Sequence, residues 1–280
     1  MILVTYNTQW CCGNDGTVSP GRIVQAARAL GDFDVLCLQE IAVNYPQLQG
    51  DAGHDQPALL AGLLPGFQLF FGAAVDEWTP DGQRRRFGNL VATRLPVAQV
   101  QHHPLPYPAD PGVRSMPRIC TVVTVQDAAL GPVRVMTTHL EFYSKRQRLA
   151  QAQALRALHV QATAQAEGPP EVSHDGSPFQ SKVHTPHAVL CGDFNFEAHE
   201  PEYAALTDPG PGQLWDSWRL LHGPAPHPPT FRIHDRRYGP EPVACDFVLV
   251  SEGLRGRVLH LQVDGDTQAS DHQPVRVDFG

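Results

Sequence analysis

Short apolar runs that alternate with helix-like segments are the feature that most constrains the fold of this chain. Runs 1–7 (MILVTYN), 34–40 (DVLCLQE) and 186–195 (PHAVLCGDFN) have the length and residue types of buried strands. A helical segment lies between the first two, with Ser19 as N-cap, Pro20 at the first helical position and Gly31 after its end. This alternation predicts an α/β domain with many strands, and we expect one domain over residues 1–280.

The rest of the chain continues the pattern. Short helices are predicted over 55–66 and 200–208, and the longest helix over 144–167. The predicted buried face of that long helix consists of Leu149, Ala152, Leu155, Ala162 and Ala166. Further strands are predicted over 67–72, 89–100, 118–126, 133–140, 230–234 (TFRIH), 243–251, 258–266 and 274–279. Long loops are predicted over 101–117 and 168–187.

Composition restricts the partners and the compartment. A net charge of −8 provides no general basic field for nucleic acid, although a local basic groove stays open. The six cysteines form no CxxC pair and most lie in apolar runs, which indicates buried thiols in a reducing compartment. No apolar run approaches the length of a membrane span, and the first residues turn polar too soon for a secretory signal. We expect a cytoplasmic monomer that does not insert stably into a membrane; an export signal removed before residue 1 stays open.

Polar residues stand at the ends of the predicted strands. An aspartate or asparagine alone is simply explained as a turn former and His139 as a core histidine, whereas an unpaired Glu40 closing a buried strand is costly. Together the residues contain only carboxylates, amides and imidazoles. Oxygen ligands of this kind suit Mg²⁺ or Mn²⁺, and imidazoles suit proton transfer or stabilisation of a transferring phosphoryl group. Asp193 and Asn195 are two positions apart, so an extended backbone would point both the same way and Phe194 into the core. The residues are Asn7, Glu40, His139, Asp193, Asn195, Asp246, Asp271 and His272.

These motifs resemble those of the endonuclease/exonuclease/phosphatase superfamily, the DNase I-like group. The motifs TYN, LQE, GNLVATRLPV, TTHL, CGDFN, CDFVLVS and SDHQPV occur in the order seen in that group, and GDxN with a terminal SDH is the specific pair. The resemblance covers residues 2–279. It implies a four-layer α/β/β/α sandwich, in which two packed, mostly antiparallel sheets are flanked by helices and the active site lies at one end of the sheets.

The resemblance also implies a metal site. Glu40 corresponds to the main metal-binding carboxylate, and Asn7 and Asp271 correspond to further contacts of a Mg²⁺ or Mn²⁺ ion. Some members carry an acidic residue two positions after the motif asparagine, where this chain has Gln9. A second acidic ligand is therefore in doubt, and a site for one metal ion is compatible with the sequence.

Five residues correspond to catalytic positions of the group. Asp193 would orient or deprotonate the attacking water, and Asn195 would hold that water or a phosphate oxygen. His272 would stabilise the phosphate or transfer a proton, with Asp246 as its orienting carboxylate. His139 matches the second histidine of the DNase-like and phosphatase branches.

Arginines and histidines outside these motifs give weaker signals. Arg118 stands where members often carry an arginine near the phosphate, so it is a candidate substrate contact. Arginines 84–86 would either contact extra phosphates or form a solvated loop tip. The histidines at 102–103 and in 174–187 are expected in exposed or mobile loops. Arg148 and Gln151 recur in the group, and we expect structural hydrogen bonds there.

The sequence therefore predicts a Mg²⁺-dependent hydrolase that cleaves a P–O bond by attack of an activated water. A phosphodiesterase is favoured, acting on nucleic acid or on a phospholipid headgroup. A tyrosine that abasic endonucleases carry is replaced by His139, and the lysine-rich signature of inositol phosphatases is missing, which argues against those two branches. The alternatives are a phosphomonoesterase for an inositol phosphate or another phosphorylated small molecule, and a non-catalytic binding protein.

Overall fold

Two six-stranded sheets, covered on their outer faces by helices, form the molecule in a computed structural model that describes residues 1–280. The first sheet contains β1 (Ile2–Asn7), β2 (Val35–Val43), β3 (Gln68–Trp78), β4 (Arg84–Thr93), β11 (Val258–Val263) and β12 (Val275–Phe279). The second contains β5 (Val97–Pro104), β6 (Ile119–Asp127), β7 (Gly131–His139), β8 (Ala188–Asp193), β9 (Trp215–Asp216) and β10 (Asp246–Val250). The helices are α1 (Pro20–Ala29), α2 (Gln56–Leu63), α3 (Lys145–Glu167), α4 (Pro201–Thr207) and α5 (Ser217–His222), with a 3₁₀ helix over Glu252–Arg257.

Each sheet has one parallel pair at its centre and antiparallel pairs around it. The orders are β11-β12-β1-β2-β4-β3 and β5-β6-β7-β8-β10-β9, with β1 parallel to β2 and β7 parallel to β8. The ends of β1, β2, β7 and β8 therefore meet at one edge of the molecule. Because β10 and β12 run the other way, the residues at their beginnings reach the same edge.

Three apolar clusters separate the four layers. One cluster lies between the sheets, for example Cys37 against Val135 and Cys191. A second joins the first sheet to α1 and α2, and a third joins the second sheet to α3 and α4. Neighbouring residues such as Leu36 and Cys37 enter different clusters, because side chains alternate along a strand. Burial on both faces explains why the sequences of central strands such as β2, β6 and β8 are mostly apolar and not alternating.

Helix starts follow the predicted capping chemistry. The Ser19 hydroxyl accepts a hydrogen bond from the Arg22 amide at 3.4 Å, and Pro20 begins α1. At α3 the Ser144 hydroxyl accepts from the Gln147 amide at 3.1 Å. The four-layer α/β/β/α arrangement and the mostly antiparallel sheets are confirmed.

The predicted strand over 89–100 is wrong, since it is two strands in different sheets. β4 ends at Thr93, and β5 begins at Val97 after a short segment that contains Pro96. The Arg94 guanidinium fixes this passage by contacts with Asp32 at 2.9 Å and Asp34 at 2.8 Å. An apolar run with one proline does not reveal whether the chain continues a strand or changes sheet.

The predicted loops are partly corrected. β5 continues to Pro104, so the loop begins at Leu105, and His102 and His103 lie on a strand and not in a loop. Arginines 84–86 lie on β4 and form no loop tip, and the Arg84 guanidinium contacts the Asp76 carboxylate at 2.6 Å. Residues 168–187 contain no helix or strand, as predicted.

Two other local predictions fail. Residues 230–234 form no strand, since only Phe231 makes isolated bridges, with Val243 and His272. The buried face of α3 also differs, because Gln151 and His159 are buried while Ala162 and Ala166 are half-buried. The buried polar groups of this helix have partners: Arg148 and Gln151 make the structural hydrogen bonds that were expected. The short β9 and α5 were not predicted.

All six cysteines are buried free thiols. None of the helices combines the length and the hydropathy that crossing a bilayer requires.

Candidate active site

One cleft at the common strand edge collects the predicted residues. It has a volume of about 230 Å³. Seven of the nine predicted site residues line this cleft directly. The other two, Asn7 and Asp246, lie beneath its floor and are hydrogen-bonded to residues that line it. The seven are Glu40, Arg118, His139, Asp193, Asn195, Asp271 and His272.

Strand register brings the central residues together. His139 and Asp193 are paired neighbours at the ends of parallel β7 and β8. Asp246 is paired with Asp193 across antiparallel β8 and β10. Asn7 ends β1 in the other sheet, and its side chain crosses to Asp193. The site is therefore built by both sheets.

The Asp193 side chain contacts four of the other site residues at the floor of the cleft. Its Oδ2 accepts a hydrogen bond from Asn7 Nδ2 at 2.8 Å, and its Oδ1 accepts one from the Asn195 amide at 2.9 Å. His139 Nε2 and His272 Nε2 lie 3.3 and 3.6 Å from Oδ2. Burial raises the pKa of Asp193 to about 6, against the opposing charge of His272. This carboxylate can take up a proton near neutral pH.

His272 is held on two sides. Its Nδ1 lies 2.9 Å from Asp246 Oδ2, and its ring stacks on Phe231 with centroids 4.3 Å apart and planes 17° apart. Burial lowers the pKa of His272, but the charges of Asp246 and Asp193 outweigh burial and hold the pKa well above its usual value. The imidazole is therefore cationic at neutral pH.

Asp246 is held in turn by its neighbours. The Thr230 hydroxyl accepts hydrogen bonds from the backbone amides of Cys245 and Asp246, both at 3.2 Å. Thr230 and Phe231, from the segment predicted as a strand, thus support Asp246 and His272 respectively. The sequence of residues 230–234 did not reveal this role of Thr230 and Phe231.

Glu40 occupies a bulge in β2, where the pairing with β4 shifts between Leu38 and Ile41. Its backbone is left-handed, with φ of 61°, and Asn7 Nδ2 donates to its Oε1 at 3.1 Å. Burial and the nearby Asp271 raise the pKa of Glu40 to about 7. Burial also raises the pKa of Asp271. Two carboxyl groups that resist ionisation without a counter-charge suit a hard divalent cation.

The Asn7 amide is almost fully used within the protein. Its two N–H groups reach Glu40 and Asp193, and its Oδ1 accepts the Gln9 amide at 3.1 Å. One lone pair of that oxygen remains for a cation. Gln9 itself lines the cleft.

A second group of ligand-type atoms fits a hard cation less well. Asp193, Cys245, Asp246 and His272 place one such atom each within 4.8 Å of one another. Burial, then the charge of Asp246, holds the pKa of the Cys245 thiol well above its usual value, so the thiolate does not form. His272 is cationic and already paired with Asp246. The donor set around Glu40, Asn7 and Asp271 is the better match to Mg²⁺ or Mn²⁺.

His139 differs from His272 in charge. Burial, with the neighbouring charges of Arg118 and His272, holds the pKa of His139 well below its usual value. His139 is therefore a neutral imidazole at physiological pH, 3.9 Å from Glu40 through Nδ1. The cleft has one cationic and one neutral imidazole on the same carboxylate.

Arg118 is fixed by a residue that the sequence analysis missed. Its Nε donates to Glu141 Oε2 at 3.1 Å, and the same carboxylate accepts the backbone amides of Met116 and Tyr143. Nη1 of Arg118 is buried without a protein partner. Glu141 is two positions after His139, and its place just beyond a strand end was the available signal.

Backbone strain is concentrated at the cleft. Seven non-glycine residues have positive φ, and five of them lie in or beside the site. Such conformations cost on the order of 1–3 kcal/mol each and persist where the surroundings enforce them. The five are Gln9, Trp10, Cys11, Glu40 and Asn195.

Aromatic side chains form much of the cleft wall. Trp10 lies in the loop after β1, and Phe87 lies on β4 of the first sheet. Phe142, Phe231 and Tyr238 form a contacting group, with ring centroids 5.9 Å apart for Phe142–Tyr238 and 6.1 Å for Phe231–Tyr238. None of these residues was predicted: four lie in loops without a pattern, and Phe87 lies on β4. Arg84 and the predicted loop histidines do not line the cleft.

Two packed six-stranded sheets with polar residues at one common edge define the DNase I-like class of fold. The endonuclease/exonuclease/phosphatase family matches the sequence over residues 4–272, and the chain belongs to this family. Its members are hydrolases that act on phosphoester bonds. No curated protein matches the chain by sequence.

Solved structures agree with the fold over the whole chain. An endonuclease/exonuclease/phosphatase from Beutenbergia cavernae is 25% identical, with a TM-score of 0.67, covering 100% of this chain and 72% of its own. A mannosyl-6-phosphatase from Bacteroides thetaiotaomicron is 20% identical, with a TM-score of 0.67, covering 100% and 99%. TDP2 from D. rerio, complexed with a single-strand DNA product, is 17% identical, with a TM-score of 0.66, covering 100% and 98%.

Proposed function

We propose that this protein is a Mg²⁺- or Mn²⁺-dependent phosphodiesterase that cleaves a P–O bond by attack of an activated water. The observation that carries the proposal is the position of Asp193. Its carboxylate contacts Asn7, His139 and His272 at the floor of a cleft that also contains Glu40 and Arg118. Phosphoryl transfer needs a base and positive charges in one site, and here Asp193 is the base while His272 and Arg118 provide positive charge.

The metal site in this proposal consists of Glu40 and Asp271 with the Asn7 oxygen. A bound divalent cation would polarise the phosphoryl oxygens and offset the charge gained in the transition state. Asn7 holds Glu40 and Asp193 in position by donating to both. His139 fills the space between these carboxylates as a neutral group, so it adds no charge that would repel a cation.

Asp193 is the proposed general base. A pKa of about 6 leaves the carboxylate ionised at neutral pH yet able to accept a proton from water. The water oxygen bonds to phosphorus, its proton passes to Asp193, and the bond to the leaving oxygen breaks with its electron pair on that oxygen. Asn195 lines the cleft beside Asp193 and keeps one N–H after its bond to the Leu140 carbonyl at 2.9 Å, so it can hold the water or a phosphate oxygen.

His272 and Arg118 are the proposed charge partners of the phosphoryl group. His272 is cationic because Asp246 supports it, and Asp246 also fixes which ring nitrogen faces the cleft. Arg118 keeps a buried Nη1 without a protein partner, and an oxygen of the substrate would satisfy it.

A diester is favoured over a monoester by charge and by the cleft walls. Arg118 is the one guanidinium that lines the cleft and no lysine does, so no second guanidinium or ammonium group is available for the additional charge of a monoester. Trp10, Phe87, Phe231 and Tyr238 offer apolar surface on which the two organic groups of a diester can pack. A nucleic acid or a phospholipid headgroup would provide such groups. A phosphorylated small molecule is the alternative substrate.

Hydrolysis of bis-p-nitrophenyl phosphate and of p-nitrophenyl phosphate tests the proposal, with Mg²⁺, with Mn²⁺ and with EDTA. We expect cleavage of the diester that requires metal and is lost in Asp193→Ala. The control is Asp266→Ala, which removes an exposed carboxylate outside the cleft. Cleavage of the monoester alone would replace this proposal by a phosphomonoesterase. Cleavage that survives in Asp193→Ala would refute the assignment of the base.

The remaining alternative is a binding protein without catalysis, and we disfavour it because the whole set of charged groups is present in one cleft. A cytoplasmic monomer of one domain is part of the proposal. The cytoplasmic location is supported by six free thiols, all of them buried, which a reducing compartment preserves.

A further inference from the structure

Arg134 is a buried arginine without a carboxylate partner. The other two buried arginines have one each: Arg118 contacts Glu141 and Arg148 contacts Glu202, both at 3.1 Å. Arg134 is 6% exposed, and its Nε donates to the Thr185 carbonyl at 3.1 Å. Nη2 lies 2.8 Å from His159 Nδ1, and Nη1 lies 3.8 Å from the Met136 sulfur. A buried charge with only neutral partners is costly, so this guanidinium lacks an anion.

A polar cavity of about 180 Å³ lies against Arg134. Its walls are the outer face of the second sheet, the end of α3 and the loop before β8. Gln99 and Gln101 of β5, Thr124 of β6 and His184 of the loop line it, and no carboxylate does. Amides, hydroxyls, an imidazole and a guanidinium around one open space can all donate hydrogen bonds to an anion.

Arg134 is the charged residue among those that line the cavity. Burial and then the charge of Arg134 lower the pKa of His159 to about 4, so that imidazole stays neutral and accepts from Arg134. Burial also lowers the pKa of Arg134 to about 10, which leaves it cationic at neutral pH. An anion in the cavity would therefore meet an uncompensated positive charge.

We propose that this cavity is a binding site for a small tetrahedral oxyanion, inorganic phosphate, with Arg134 as its charge partner. The site is separate from the catalytic cleft. Arg134 precedes His139 by five positions on β7, which is about 16 Å along a strand. Phosphate has four oxygens to accept from the guanidinium, the glutamine amides and Thr124 together.

Three amide-to-carboxylate variants of equal charge test the site. Gln101→Glu adds a carboxylate to the cavity wall at an exposed strand position, so the fold should tolerate it. Asn195→Asp adds one to the catalytic cleft, and Gln153→Glu adds one to the exposed face of α3. Phosphate binding is measured with inorganic phosphate in EDTA by calorimetry and by thermal denaturation, with chloride at equal ionic strength as reference.

We expect saturating phosphate to raise the Tm of the wild type, Asn195→Asp and Gln153→Glu by roughly 2–5 °C. Gln101→Glu should lose this shift, because its carboxylate repels phosphate and supplies Arg134 with an internal counter-charge. Because of this internal counter-charge, the Tm of Gln101→Glu without phosphate should exceed that of the wild type. Absence of binding to the wild type would overturn the proposal. Binding that Asn195→Asp abolishes and Gln101→Glu leaves intact would also overturn it, by placing phosphate in the catalytic cleft.

Discussion

Replacing Glu40 by glutamine should stabilise the metal-free protein while it removes activity. Burial and the charge of Asp271 raise the pKa of Glu40 from 4.5 to about 7. The folded state therefore keeps a proton that the unfolded chain releases above pH 4.5. The free energy of unfolding falls as pH rises through this interval, and the loss is complete above pH 7.

The size of the effect follows from the shift. A pKa difference of this size corresponds to about 3 kcal/mol, at 1.36 kcal/mol for each unit. The Glu40 side chain is 18% exposed, and solvent screening reduces that value. We expect Glu40→Gln to raise the free energy of unfolding by about 1–3 kcal/mol at pH 8 and by much less at pH 5. Glutamine keeps the length of the side chain and an oxygen that can accept from Asn7.

Urea denaturation in EDTA at pH 5 and pH 8 measures this difference. Glu171→Gln is the matched control, because Glu171 is exposed and makes no salt bridge. In Mg²⁺ the wild type should become the more stable of the two proteins, because the ion stabilises it and loses its main ligand in Glu40→Gln. An equal effect of Glu40→Gln at both pH values would refute the buried-charge reasoning. Equal stabilisation of both proteins by Mg²⁺ would refute the role of Glu40 as a ligand.

Three further predictions concern the supports of the site. Phe231→Ala should lower kcat for the diester about tenfold, because His272 loses the ring that orients it, and Phe231→Tyr should restore most of the activity. Glu141→Gln should cost about 1–3 kcal/mol in thermal denaturation, since Arg118 stays buried without its charge partner. Affinity for Mg²⁺ should rise between about pH 6 and pH 8, because Glu40 must lose its proton to bind; calorimetry in two buffers of different ionisation enthalpy should detect proton release.

Much of the fold could be predicted because the central strands are buried on both faces. A run such as 186–195 (PHAVLCGDFN) admits few other structures when it is short and ends at a glycine and a carboxylate. The failures have local causes. The run over 89–100 crosses between sheets at Pro96, and apolar composition is the same in both sheets. His159 and Gln151 are buried on α3 because partners far along the chain satisfy them, which periodicity does not reveal.

The polar part of the site could be predicted better than its apolar part. Asn7 and Asp193 end β1 and β8, and the sheet topology brings these strand ends together. Glu40, predicted at a strand end, lies in the bulge of β2, and His272 lies shortly before β12. The aromatic wall is built by loops such as 228–244, whose path depends on contacts like Phe231 on His272. Such loops carry no period, so their side chains cannot be assigned to a cleft before the fold is known.

Opposite pKa shifts in one small volume separate the roles of similar groups. Asp193 and Glu40 are both buried carboxyl groups whose pKa is raised by burial, to about 6 and about 7 respectively, while the charge of His272 opposes the rise at both. The two imidazoles diverge further, because Asp246 faces His272 while Arg118 faces His139. A group that releases its proton to bind metal, a base near neutrality, a fixed cation and a neutral spacer thus arise from carboxyl and imidazole groups alone. Their placement relative to Asp246 and Arg118 makes the difference, so exchanging either partner should alter catalysis even though the Asp193 side chain is kept.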